Sequence, residues 1–195
     1  LRVPRLCTAA VADGWGLFED FGSVDAGGAL AGMAPESRAP AIERMIAPLA
    51  VLAALEPSDL PPWTPPLDRA RMRWELAGFE LWYLRARGDT VPPTTIGRWL
   101  DHLAEECAAV PPRICHRDFH LNNLYLLEDG AVGVIDFQDI LIGPESYDAV
   151  SLVGERAAPS LLTPVQRRAA LRAWAAATSA GTGWEQRADA VQVQR

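Results

Sequence analysis

The chain has 195 residues, of which 49% are hydrophobic and 22% are charged, and its formal net charge is -7. This size and composition are typical of one folded domain or one lobe of a larger enzyme, and they exclude a disordered chain. The acidic balance argues against nucleic acid or an anionic membrane surface as the partner, because both select basic surfaces. No apolar run approaches the roughly 20 residues that a membrane-spanning helix needs.

The cysteine and lysine contents give further information on possible metal sites, disulfides and cellular location. Cys7, Cys107 and Cys115 lack the spacing of a zinc site and are too few for a disulfide framework, so we expect reduced thiols and a cytoplasmic location. All 18 Lys and Arg residues are arginine, so the chain has no lysine. The sequence opens with Leu1 rather than Met, and we expect it to be a segment of a longer protein.

The first half of the chain is predicted to be mainly helical. We expect irregular structure over 1–14 and a short strand over 15–19. Apolar spacing predicts a helix over 35–56 with a kink at Pro48, and the proline-rich segment 57–66 predicts a loop. Two strong helical patterns follow over 67–87 and 94–110, the second capped by Thr94 or Thr95.

The second half begins with short apolar runs over 113–116, 123–127 and 131–135. Asp129-Gly130 between the last two runs predicts a β-hairpin. Helical patterns return over 145–155 and 164–177, and the tail after Gly181 has no clear pattern. The sequence therefore predicts a mainly α fold with a small β-hairpin, of the α+β class.

Candidate catalytic and metal-binding residues are concentrated in two segments. They are CHRDFHLNN at 115–123 and VIDF at 134–137. Asp118 and Asn123 lie on one loop that leaves a strand, and Asp136 ends the next hairpin strand. We therefore expect the three side chains to meet at one point. Phosphoryl transfer needs this combination, because one carboxylate accepts the proton of the attacking hydroxyl while oxygen ligands hold Mg²⁺ at the phosphates.

HRDFHLNN followed by GVIDFQD resembles the catalytic and metal-binding segments of the aminoglycoside phosphotransferase family, which is related to the protein kinases. The longer pattern through GPESYDAVSL at 143–152 is similar to the branch of bacterial sugar kinases that act on the anomeric hydroxyl of N-acetylmuramate and N-acetylglucosamine. LFEDFG at 17–22 and ELAGFELWYL at 75–84 support the resemblance.

The resemblance implies the C-terminal lobe of a protein-kinase-like fold, truncated at both ends. Residues 1–22 would form the end of an N-terminal lobe and the adenine hinge, and residues 23–195 the catalytic lobe. It also implies Mg²⁺ as cofactor, ATP as co-substrate and an amino sugar as acceptor. The implied roles are catalytic base for Asp118, magnesium ligands for Asn123 and Asp136, adenine hinge for Glu19, Asp20 and Phe21, and support of the catalytic loop for Asp148.

The chain departs from the family pattern in one respect. Family members use a lysine of the N-terminal lobe to hold the α- and β-phosphates, together with a loop that covers the phosphates, and neither feature is present in these 195 residues. We therefore expect weak or absent ATP binding and no turnover by this segment alone.

Several residues near the motif have two possible roles. His120 either faces the substrate or supports Asp136, and Gln138 and Asp139 are candidate substrate contacts. The aromatic residues of the helix over 67–87 are expected in the core more than in a stack against a sugar ring. They are Trp74, Phe79, Trp82 and Tyr83.

Three alternative functions fit parts of the sequence. One is a kinase of the same family that acts on an aminoglycoside or another small alcohol, and another is a kinase-like binding module without activity. The third is a zinc hydrolase built on His116, Asp118 and His120, which alternate along one stretch. A zinc site needs further ligands, and the remaining histidine, His102, lies in a predicted helix.

Overall fold

The computed structural model describes residues 1–88 and 93–192 and is mainly α-helical, with three small antiparallel strand pairs. Every helix in these two ranges is too short or too polar to cross a bilayer. The helices are α1 Ala26–Ala31, α2 Pro35–Ala53, α3 Arg69–Gly78, α4 Arg85–Arg87, α5 Pro93–Ala108, α6 Tyr147–Gly154, α7 Ala158–Leu161, α8 Pro164–Thr178 and α9 Trp184–Gln192. The predicted α+β class is confirmed.

The strands form three separate two-stranded sheets. One sheet pairs the N-terminal strands, a second pairs the strands on either side of residues 116–140, and the third is the predicted hairpin. In chain order they are β1 Leu6–Ala10, β2 Trp15–Phe18, β3 Pro112–Cys115, β4 Leu124–Leu126, β5 Val132–Val134 and β6 Leu141–Pro144, paired β1 with β2, β3 with β6, and β4 with β5.

The N-terminal region differs from the expectation in two places. The irregular structure expected over 1–14 is wrong at β1, which pairs with β2 through a turn at Gly14, where φ is 73°. The short helix α1 was not predicted. Asp25 caps it by accepting a hydrogen bond from the Gly28 amide at 2.7 Å. Six residues with two glycines are too few to show helical apolar periodicity.

The main hydrophobic core lies between α2, α8 and the β4–β5 hairpin. Helix α2 continues through Pro40 and Pro48 to Ala53 and buries Ile42 and Met45. The hairpin and the loop before it contribute fully buried apolar side chains, so the loop is held in place by its packing in the core. These side chains are Phe119, Leu121, Leu124 and Val134.

Helices α3 and α5 pack side by side, and α5 also contacts α9. The helical path predicted over 67–87 is observed, but Phe79–Leu84 between α3 and α4 is a π-helix. Helix α5 begins at Pro93, so Thr94 lies within the helix and does not cap it. Arg73 on α3 donates to Asp101 on α5 at 2.8 Å. The tail that showed no pattern forms α9.

Candidate active site

The loop between β3 and β4 brings the three motif residues together. The Asn123 side-chain amide donates to the carbonyl oxygen of Asp118 at 2.9 Å, and its nitrogen lies 3.4 Å from Oδ2 of Asp136. Asn123 is buried, Asp118 is half-buried and Asp136 is exposed. The loop and the end of the hairpin thus place the Asn123 amide against the backbone carbonyl of Asp118 and the carboxylate of Asp136.

Asp136 follows β5 in a left-handed backbone conformation with φ at 65°. A non-glycine residue in this region is strained by on the order of 1–3 kcal/mol, and such strain clusters at functional sites. Gln138 donates to Oδ1 of Asp136 at 2.6 Å, and Asp139 is exposed on the same 3₁₀ turn. The strained turn therefore holds the Asp136 carboxylate at the surface, beside the amide of Asn123.

Asp148 on α6 lies beneath the loop and is 5% exposed. Its carboxylate accepts hydrogen bonds from the backbone amides of His116 at 2.6 Å and Arg117 at 3.0 Å. Arg117 is also left-handed, with φ at 80°. Hydrogen bonds to a charged group contribute about 1.5–3 kcal/mol each, so Asp148 offsets the strain of the loop.

The Arg117 side chain joins the loop to α3. Its guanidinium donates to Oε1 of Glu75 at 3.1 Å, and Arg71 lies 3.6 Å from the same oxygen. Glu75 is about one quarter exposed. This pair fixes the position of α3 relative to the residue next to Asp118.

His116 is fully buried, and its Nε2 lies 3.0 Å from the carbonyl oxygen of Ile135. Burial lowers the pKa of His116 from its ordinary value, because a buried imidazolium loses its hydration. The neutral ring donates to the carbonyl and ties the start of the loop to the end of β5. His116 is therefore a structural contact of the site.

His120 is 6% exposed, and within the described residues its Nδ1 has no hydrogen-bond partner. Its backbone amide donates to the carbonyl of Asp118 at 3.0 Å, and its carbonyl accepts from the amide of Asn123. Gln138 and Asn123 both donate side-chain hydrogen bonds to Asp136.

The donor chemistry at Asn123 and Asp136 fits magnesium, which prefers carboxylate and amide oxygens. Over residues 1–88 and 93–192, no three His, Cys, Asp or Glu side chains are grouped as ligands of one ion. Nε2 of His116 faces the Ile135 carbonyl, and His102 lies on α5 beside Glu106. The zinc alternative therefore lacks support from the positions of its histidines.

The predicted hinge residues lie directly after β2. Glu19 pairs with Arg2 and accepts from the Arg5 amide, and the hydrogen bond from Arg2 lowers the pKa of Glu19 to about 2. Asp20 accepts from the amide of Gly22 at 2.8 Å. Phe21 packs beneath the Arg2 guanidinium.

Phe21 also connects the hinge to the β4–β5 hairpin. Its ring lies 5.9 Å from that of Tyr125, and a Cβ added at Gly133 would lie 2.6 Å from it. Only glycine at position 133 leaves space for this contact. The segment predicted to be the hinge therefore packs on the β4–β5 hairpin, which is followed by Asp136.

A sequence profile described as "Phosphotransferase enzyme family" matches residues 2–189. The chain belongs to this phosphotransferase family. An N-acetylmuramate/N-acetylglucosamine kinase of Pseudomonas aeruginosa is 34% identical over 186 residues, which are 93% of this chain and 52% of that protein. A kinase of the same name from Neisseria meningitidis is 39% identical over 93 residues, or 46% of this chain and 28% of that protein. The phosphotransferase chain spans about half the length of the Pseudomonas relative.

Solved structures agree on the fold of this phosphotransferase. An aminoglycoside-3'-phosphotransferase of type VIII superposes with a TM-score of 0.67 at 18% identity, covering 99% of this chain and 73% of that one. An aminoglycoside phosphotransferase of Streptomyces rimosus, determined with ADP and streptomycin, gives 0.61 at 17% identity, covering 98% and 76%. At these identities the likeness shows the fold alone.

Two contacts of the candidate site were absent from the sequence-based prediction. Asn122 donates to Asp25 at 2.8 Å and so ties the loop to the cap of α1. The Asp25-x-x-Gly28 spacing is a capping signal that indicates the helix, but nothing local indicates its partner. Glu75 pairs with Arg117 across 42 positions of the sequence.

The core position expected for the aromatic residues of α3 and the π-helix is wrong. Trp74 and Trp82 are each 74% exposed, Phe79 is 46% exposed and Tyr83 is 51% exposed. Phe79 and Tyr83 stack on each other, with ring centroids 5.2 Å apart. Hydrophobic type identifies side chains that gain from burial, whereas only the packing of the helix decides which face is covered.

Proposed function

We propose that this phosphotransferase moves the γ-phosphoryl group of ATP to the anomeric hydroxyl of an amino sugar, N-acetylmuramate or N-acetylglucosamine. The acceptor is inferred from the name of the relative that is 34% identical over 93% of the chain. The reaction is inferred from one observation, the Asn123 amide that bridges the Asp118 carbonyl and the Asp136 carboxylate.

In this proposal Asp118 accepts the proton of the acceptor hydroxyl as that oxygen bonds to the γ-phosphorus. The bond between the γ-phosphorus and the β–γ bridging oxygen breaks, and ADP leaves with the electron pair. Asp148 and Asn123 hold the loop so that the Asp118 carboxylate needs little reorganisation.

Asp136 and Asn123 would hold Mg²⁺, which supplies neutralisation of the phosphate charge when bound. Glu19, Asp20 and Phe21 would form the adenine hinge, and residues 1–22 would be the end of an N-terminal lobe together with that hinge. Residues 23–195 would form the catalytic lobe. A lysine that holds the phosphates would come from outside these 195 residues, since the chain has none.

An acceptor panel tests the proposal in the complete gene product. N-acetylmuramate, N-acetylglucosamine and an aminoglycoside are each incubated with ATP and magnesium, and the products are identified by ³¹P NMR. We expect an anomeric sugar phosphate. Transfer to the aminoglycoside alone would favour the alternative acceptor, and transfer to no compound, with ATP binding intact, would favour a binding module without activity.

The base is tested by Asp118→Asn, which keeps the size of the side chain and removes its basicity. We expect kcat to fall on the order of 10²–10⁴-fold. Glu128→Gln is the matched control, because Glu128 is exposed in the turn of the same hairpin and is expected to leave kcat unchanged. Near-normal activity of Asp118→Asn would end the assignment.

A further inference from the structure

Two exposed tryptophans, Trp74 on α3 and Trp82 on the π-helix, line a groove with a volume of about 430 Å³. We call it the aromatic groove and define it by Trp74, Glu75, Glu80, Leu81 and Trp82. Ligand sites of proteins commonly measure about 300–1,000 Å³ and combine an apolar lining with a few polar groups. The aromatic groove has this size and this combination.

The exposure of the two tryptophans calls for a physical explanation. Trp74 and Trp82 are each 74% exposed and line the same groove. Contiguous apolar surface of this kind marks interaction sites in soluble proteins. The Phe79–Leu84 segment is also a π-helix, a rare conformation that occurs frequently at functional sites. Two independent features thus indicate a ligand at the aromatic groove.

The aromatic groove is connected to the catalytic loop through Glu75. This residue lines the groove, and its Oε1 accepts a hydrogen bond from Arg117 at 3.1 Å. Arg117 precedes Asp118 directly in the chain. The ion pair therefore fixes the wall of the groove relative to the loop that carries the proposed base.

The lining matches the chemistry of a sugar ring. A pyranose presents C–H groups on its faces and hydroxyl groups at its edge. The face of an indole ring carries negative charge density and attracts the positively polarised C–H groups. The carboxylate of Glu80, in the same lining, accepts hydrogen bonds from hydroxyl groups. An aromatic surface with a carboxylate at its side can therefore bind such a ring through its C–H groups and through its hydroxyl groups.

We propose that the aromatic groove binds the pyranose ring of the phosphate acceptor, with Trp74 and Trp82 as stacking residues and Glu80 as a hydroxyl acceptor. This inference rests on the proposed function and adds to it the residues that select a sugar. The Glu75–Arg117 pair then acts as a positioning contact that sets the distance between the bound ring and the catalytic loop.

The test compares Trp74→Ala and Trp82→Ala with Trp63→Ala in the complete gene product. Trp63 is 80% exposed and lies outside the groove, so it is a matched control. Loss of one stacking contact is expected to raise KM for the sugar about 10-fold, with kcat and KM for ATP nearly unchanged. Trp82→Phe keeps an aromatic face and is expected to restore part of the affinity. Unchanged KM for the sugar in both alanine variants would overturn the proposal.

A second measurement does not depend on activity. Acrylamide quenching of tryptophan fluorescence is recorded with and without N-acetylglucosamine, in the absence of ATP. We expect the sugar to protect the unsubstituted protein and Trp63→Ala, and to protect the groove variants less. If the unsubstituted protein transfers phosphate to no sugar and also shows no protection, both proposals fail. If it transfers phosphate to a sugar but the tryptophans are shielded before sugar is added, another segment covers the groove and only the present inference fails.

Discussion

The catalytic loop and the aromatic groove use their side chains in opposite ways. Asp148 beneath the loop and Asn123 within it are buried polar residues that form hydrogen bonds with the backbone of the loop. In the groove, Trp74 and Trp82 are apolar residues that face water. The polar groups of the loop bind one another within the chain. The tryptophans of the groove face solvent, where we propose that the sugar binds.

We interpret the difference as a division of roles, in which the loop fixes the geometry of the proposed reaction and the groove binds the sugar. Arg117 in the loop and Asp136 after β5 have strained backbone conformations, and hydrogen bonds with Asp148 and Asn123 hold these two segments. Substitutions in the loop should therefore alter both stability and turnover. Substitutions of the exposed tryptophans in the groove should alter sugar affinity alone, because exposed side chains contribute little to folding.

A large effect on turnover is expected for Asp136→Asn. Removal of the proposed metal-holding carboxylate should reduce kcat about 10²–10³-fold, because charge at the phosphates is no longer neutralised. It should also raise the magnesium concentration needed for half-maximal rate, measured by titration with MgCl₂. Trp82→Ala should leave this magnesium concentration unchanged. An unaltered magnesium dependence in Asp136→Asn would contradict the proposal that Asp136 holds magnesium and that the groove does not.

A smaller effect is expected on stability. Asp148→Asn retains the shape but removes the charge that accepts two backbone hydrogen bonds, so we expect the free energy of unfolding to fall about 2–3 kcal/mol. Trp74→Ala removes an exposed side chain and should change it by about 0.5 kcal/mol or less. Urea denaturation of both variants measures the difference. Equal losses would show that the groove is as deeply involved in folding as the loop.

The smallest effect is the pH dependence that His116 gives to the loop. Burial lowers the pKa of His116, so the unfolded chain binds its proton more tightly than the folded protein does. The free energy of unfolding should therefore decrease as the pH falls below about 6.5, with a slope of at most about 1.4 kcal/mol per pH unit.

The contribution of His116 is isolated by two substitutions. His116→Gln retains a donor for the Ile135 carbonyl and removes the titration, so the slope should become flatter. His102→Gln is the matched control, because His102 is exposed on α5, and it should keep the slope of the unsubstituted protein. If both variants keep the same slope, His116 does not determine the pH response.

The sequence by itself predicted that Asp118, Asn123 and Asp136 approach one another, and it predicted most of the helices. Asp118 and Asn123 are five positions apart on one loop, and the Asp129-Gly130 turn returns the chain to Asp136. Their meeting depends on short-range geometry, and local sequence encodes such geometry well. Helix α8 was predicted over 164–177 from its helical pattern, and the structure shows in addition a capping box of Thr163 and Gln166 at its start.

The tertiary structure alone decided which distant segments support that centre and which face of α3 stays in water. The pairing of Asn122 with Asp25 spans 97 positions, and that of Glu75 with Arg117 spans 42. Strand β1 required its partner β2 to be recognised. A residue type sets what a side chain gains from burial or pairing, but the partner is supplied by whichever element packs against it. That is why the same aromatic helix could be located from its sequence, while its exposure could not.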